Sequence, residues 1–103
     1  MELKENNGRL EVELPAALDL AGAGELRDLL LDALAKDSGA DVVLKAAGVE
    51  RMATAAIQVI LAGAPAFRTA ARRLEIEDAS QALTTAFRQL GLGEDFDNLS
   101  VIA

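Results

Sequence analysis

Thr54 carries the only hydroxyl in the segment Val49-Glu50-Arg51-Met52-Ala53-Thr54-Ala55-Ala56-Ile57. Apolar residues recur at helical spacing after it, so this hydroxyl stands where a helix begins. Two kinds of chemistry fit such a group. Its oxygen can accept a backbone N–H and cap the helix. It can also accept a phosphoryl group, because free N–H groups and the positive dipole end of a helix N-terminus stabilise a phosphate. That phosphate would bring about −1.5 to −2 charges to any surface built there. The first role is structural and the second is a switch.

Other constellations carry less. Gly22-Ala23-Gly24 opens like a dinucleotide-binding fingerprint, but Arg27 stands where the third glycine belongs. Small residues at this point also let a helix start pack closely on a sheet. Glu94, Asp95 and Asp97 are the types that hold a hard cation, and equally the types of a solvated acidic turn. Arg68, Arg72 and Arg73 read as an anion site or as the exposed end of a helix, where cations suit the dipole. The chain has no His and no Cys. Their absence removes the usual general base, the usual transition-metal ligands and all thiol chemistry. No nucleophile–base pair can be assembled near Thr54, so the expectation is a binding protein without a cofactor rather than an enzyme.

Composition narrows the class further. A net charge of −7 repels phosphate backbones, and only Phe67, Phe87 and Phe96 are aromatic, so nucleic acid is an unsuitable partner. No apolar run approaches the roughly 20 residues that span a bilayer. The polar start, MELKENNGRL, has no signal-peptide core, and the expected location is the cytoplasm. With 103 residues, 51% of them apolar, the expectation is one domain over residues 1–103 with one packed core.

The elements that would position Thr54 follow from periodicity. A weakly alternating stretch over residues 2–5, the turn Asn6-Asn7-Gly8, and the alternation Leu10, Val12, Leu14 predict a hairpin that Pro15 terminates. Leu26, Leu29, Leu30, Ala33 and Leu34 form one stripe of a helix over residues 21–36, with Asp19 as cap and Asp37-Ser38-Gly39 as stop. Val42-Val43-Leu44 reads as a strand buried on both faces. Residues 46–52 connect it to a second helix with Ile57, Ile60, Leu61, Ala64 and Phe67 inward. Pro65 is expected to kink that helix or end it early. Leu74-Glu75-Ile76-Glu77 is a third sheet strand. A helix then starts at Asp78 with Gln81 as a capping box, or at Ser80 as cap, and Gly91 stops it. Residues 93–103 read as a final strand or docking segment. The order implies a largely parallel α/β sheet with an antiparallel edge.

Three stretches together resemble the STAS domain family of bacterial anti-sigma factor antagonists and related regulators. They are Leu18-Asp19-Leu20 leading into the Leu-rich helix, Asp41-Val42-Val43-Leu44 with the segment from Val49 to Ile60, and Leu74-Glu75-Ile76 with Ser80-Gln81-Ala82-Leu83 and Phe87-Arg88-Gln89-Leu90-Gly91-Leu92. The resemblance implies an α/β fold with a mixed four- to five-stranded sheet and helices packed largely on one face. It implies a protein partner, an anti-sigma factor or a histidine-kinase-like ATPase domain, and it leaves room for a homodimer. In the best-known members, a kinase modifies a Ser or Thr at the start of the second helix.

The family pattern at that point is Asp, then Ser or Thr, then a small residue or second Ser, then Gly. Here Ala53 replaces the Asp, Thr54 matches the first hydroxyl, Ala55 the second position and Ala56 the Gly. The acceptor role carries over to Thr54 alone. Gly48, Glu50, Arg51, Met52, Thr54 and Gln58 are the expected partner-binding residues, because partners of open α/β sheets meet the carboxyl ends of the strands. The alternative is a non-switching STAS subunit of a chemotaxis or lipid-asymmetry transporter assembly.

Overall fold

A computed structural model describes residues 1–36 and 39–102. The hairpin forms first in the chain. Asn7 and Gly8 both take positive φ (54° and 81°), the conformation that a two-residue turn between twisted strands requires. They join β1 (Lys4–Asn6) to β2 (Arg9–Glu13) in antiparallel register, with Glu5 opposite Leu10. Every later pairing in the main sheet is parallel. β4 (Val42–Lys45) lies beside β2, β6 (Leu74–Glu77) beside β4, and β7 (Ser100–Ile102) beside β6, giving the order β1-β2-β4-β6-β7.

Register places the apolar residues on one face. Leu10, Val42 and Leu74 form one row, and Val12, Leu44 and Ile76 the next. All belong to the core, together with Leu26, Leu30 and Ala33 of α1 (Leu20–Ala35), Ile57, Ile60 and Phe67 of α2 (Thr54–Thr69), and Leu83 and Phe87 of α3 (Gln81–Gln89). The opposite face is charged, with Lys45 Nζ 3.9 Å from both Glu11 and Glu77. The helices named here therefore pack on one face of a mixed sheet, as expected. Val42, Val43 and Leu44 are all fully buried, which is the two-sided burial expected of the central strand.

Helix ends follow side-chain chemistry. Asp19 caps α1, its carboxylate accepting the Gly22 N–H at 2.8 Å. Of the residues expected to stop α1, residues 37 and 38 lie outside the described residues, and Gly39 has φ 68°. Ser80 rather than Asp78 caps α3. Gly91, with φ 74°, sits just beyond α3 and donates its N–H to the Arg88 carbonyl at 2.9 Å.

Several expectations need correction. α2 does not end early at Pro65 but continues to Thr69. Pro65 lies on the exposed side, so water can solvate the Leu61 carbonyl that loses its N–H partner, while Ala64 and Phe67 keep the helix anchored in the core. The chain after Gly91 forms a short helix, α4 (Gly93–Asp97), before β7. Its Phe96 packs 5.2 Å from Phe87, centroid to centroid. Residue 103, the end of the expected final strand, lies outside the described residues.

Arg68, Arg72 and Arg73 also separate rather than forming one charged helix end. Arg72 is only 5% exposed. Its guanidinium donates to the Ala40 carbonyl at 2.6 Å and the Ala33 carbonyl at 2.9 Å, and lies 5.0 Å over the Phe67 ring. It thus ties the C-terminal end of α1 to that of α2.

Candidate functional site

The segment leading to Thr54 is built by hydrogen bonds on two sides. After β4, the chain turns tightly at residues 46–49, the Val49 N–H returning to the Ala46 carbonyl at 3.2 Å. Gly48 sits exposed at this turn. Val49 points inward and is 2% exposed, which anchors the turn to the core. The chain then runs as β5 (Arg51–Met52), pairing in parallel with β3 (Ala17–Leu18) to form a small separate sheet. The Glu50 and Arg51 N–H groups share the Ala16 carbonyl at 2.8 and 3.0 Å, and the Ala53 N–H meets the Leu18 carbonyl at 2.8 Å.

The sequence alone does not reveal this small sheet. Two strands of two residues each offer no periodicity, and Ala17-Leu18 and Arg51-Met52 read as plain connectors. The indirect signal was Pro15, which closes the β2 ladder and frees the following residues to pair elsewhere.

At the start of α2 the N-cap is Ala53, which has no side chain able to cap. Thr54 is therefore the first helical residue, and the alternative in which its hydroxyl caps the helix is corrected: α2 has no side-chain cap hydrogen bond. Thr54 is exposed, and no acidic residue occupies the first turn. The positive end of the α2 dipole thus carries no compensating side chain of its own.

The expected binding residues are distributed around this point. Glu50 and Arg51 are exposed and Met52 is half-buried. The three border an open groove against α3, whose other wall includes Gln81, Thr85 and Gln89. Gln58 is exposed one turn beyond Thr54 and faces the other way, into an apolar groove between α1 and α2 with Leu31, Leu34 and Val59. Residues outside the expected set also stand in this region. Arg51 and Met52 border a shallow recess with Ala17 and Asp19. Leu20, the first residue of α1, is 73% exposed, the largest exposure among the exposed large apolar residues described. Its signal was available: Asp19 as cap places Leu20 at the helix start, off the stripe set by Leu26 and Leu30.

Glu94, Asp95 and Asp97 all fall on α4 and are exposed. Among the described residues, no group of three or more acidic side chains stands close enough to hold a metal ion. Gly22-Ala23-Gly24 lies within the first turns of α1. A Cβ at Gly22 would meet the Leu18 side chain at 3.1 Å, the close packing that the small residues suggested. Among the described residues no helix is long and apolar enough to cross a membrane.

Comparison with known proteins agrees with this architecture. A family model described as "Mlab, STAS domain" matches residues 1–101. No curated protein sequence matches the chain. Among solved structures, a protein from Thermotoga maritima described as a candidate anti-sigma factor antagonist superposes with a TM-score of 0.78 at 13% identity, over 98% of this chain and 84% of that one. An anti-sigma-factor antagonist (STAS) domain protein from Planctomyces limnophilus gives 0.78 at 12% identity, over 99% and 88%. The anti-sigma factor antagonist SpoIIAA in its unphosphorylated form gives 0.76 at 12% identity, over 99% and 86%. At such identities these structures speak for the fold.

Proposed function

The chain belongs to the STAS domain family, and from that premise we propose that it is a regulatory module that binds a protein partner through residues 48–54 and the first turns of α2. The family likeness is to anti-sigma factor antagonists, so the proposed partner is an anti-sigma factor or a histidine-kinase-like ATPase domain. The observation that carries the reading is the arrangement around Thr54. Exposed Glu50, Arg51, Thr54 and Gln58 stand on a segment fixed to the core by buried Val49 and to β3 by backbone bonds. Exposed polar groups on a rigid support, with a half-buried Met52 among them, are what an interface needs. The domain is proposed to be the whole of residues 1–103 and to act in the cytoplasm.

Thr54 is the proposed acceptor if the module is switched. A phosphate on its exposed hydroxyl would sit at the uncompensated N-terminus of α2, where the helix itself tolerates it. The same phosphate would place negative charge within the proposed interface and weaken a partner that expects a neutral threonine. Ala53 and Ala55 favour the second reading, a non-switching subunit of a chemotaxis or transporter assembly, because Ala53 removes the pattern's Asp and Ala55 leaves one hydroxyl where the pattern allows two. Intact-mass measurement after incubation with the captured partner and ATP separates the two. A gain of one phosphoryl group, lost in Thr54→Ala, supports the switch. No gain supports the constitutive module.

A further inference from the structure

The turn at residues 46–49 is held from a side that the family pattern does not mention. The Ser80 hydroxyl donates to the Val49 carbonyl at 2.7 Å and at the same time accepts the Leu83 N–H at 3.1 Å. One oxygen thus closes the N-terminus of α3 and grips the turn that leads into β5. The neighbouring bonds make this grip consequential. The Ala46 N–H is bound by the Glu77 carbonyl at 3.0 Å, where β6 ends, so the turn is fastened to the β6–α3 connection at both of its ends. Directly beyond Val49, the Glu50 and Arg51 N–H groups bind the Ala16 carbonyl. The segment is therefore stretched between two supports, Ser80 on the α3 side and Ala16 with Leu18 on the β3 side.

We infer that Ser80 is a positioning residue for the candidate interface. Its hydroxyl sets the direction of the Val49 carbonyl, and with it the register in which Arg51 and Met52 meet Ala17 and Leu18. This inference rests on the reading of residues 48–54 as a binding surface for its functional meaning, but not for its test. A cap alone needs only an acceptor, which is why Asp serves as well as Ser at such positions. The grip on Val49 needs a donor, and an ionised Asp has none. Substitution can therefore separate the two duties.

The test is amide hydrogen exchange on the full chain in Ser80→Asp, Ser80→Ala and Ser80→Thr. Ser80→Asp keeps an acceptor for Leu83 but turns a carboxylate oxygen toward the Val49 carbonyl. The Arg51 and Ala53 amides should then exchange about three- to tenfold faster, the scale of one lost hydrogen bond. The Leu83 amide, which donates to the Ser80 hydroxyl at 3.1 Å, should keep its protection. Ser80→Ala should release both sets, and Ser80→Thr, which retains donor and acceptor, should restore wild-type rates. Unchanged exchange at Arg51 and Ala53 in both Ser80→Asp and Ser80→Ala would overturn the inference. So would failure of Ser80→Thr to protect them. If these amides respond as stated while the wild-type chain binds no partner, the positioning role stands and only the functional reading falls.

Discussion

The Ala53 N–H donates to the Leu18 carbonyl at 2.8 Å, and this bond delivers the chain to the start of α2. It fixes the residue before Thr54 in extended conformation, with φ −74° and ψ 150°, as a cap position without a capping side chain. Ala53→Asp should therefore stabilise the domain by about 1 kcal/mol, because the new carboxylate accepts a free N–H and meets the positive dipole end. Thermal unfolding should shift upward by about 4–8 °C, the size expected per kcal/mol for a domain of this length.

Thr54→Ala should leave stability within about 0.5 kcal/mol, since no side-chain bond at the α2 start is lost. Thr54→Glu should also fold normally, because a negative charge suits this helix end. Any loss of binding in Thr54→Glu then reports on the interface and not on the fold. Denaturant midpoints with unchanged slopes check the first statement and make the second interpretable.

Arg72→Ala should cost about 2–4 kcal/mol, because the Ala33 and Ala40 carbonyls lose a charged donor and the Phe67 ring loses its cover. Arg72→Lys should recover little of this, since a single ammonium cannot reproduce the fork that reaches both carbonyls. Urea unfolding of the two variants, compared with the exposed Arg73→Ala, measures the difference.

Phe96→Ala should loosen the C-terminal part of the chain while leaving the central sheet intact. Phe96 is buried against Phe87 and links α4 to the core. Truncation of a buried Phe costs about 3–5 kcal/mol when the whole fold depends on it. Here the effect should concentrate in faster exchange at residues 98–102 and the Asp78 N–H, which binds the Ile102 carbonyl at 2.9 Å.

The central scaffold was legible because its residues follow strict periods. Leu10, Val12 and Leu14 alternate, Val42-Val43-Leu44 is continuous, and Leu26, Leu30 and Ala33 recur by helical turns; each met its expected face. The support of the candidate site was not legible. β3 and β5 are too short to show a period, and their pairing depends on a connection that only the closed sheet brings together. Arg72 reads like its neighbours Arg68 and Arg73, because sequence cannot tell which of three arginines meets buried carbonyls. The sequence predicts Ser80 as a cap, but the bond of its hydroxyl to Val49, 31 positions earlier, is purely tertiary. Pro65 does not end α2 because it faces the exposed side, which the sequence alone does not show.

The most direct test of the central claim is quantitative affinity purification from an extract of the native cell, using the wild-type chain, Arg51→Glu, Thr54→Glu and a control, Glu13→Lys, on the charged face of the sheet. The account predicts one protein partner retained by the wild type and by Glu13→Lys, and retention reduced at least about tenfold, near 1.4 kcal/mol, by each of the other two. Equal retention by all four chains, or loss only in Glu13→Lys, would contradict the placement of the interface at Thr54.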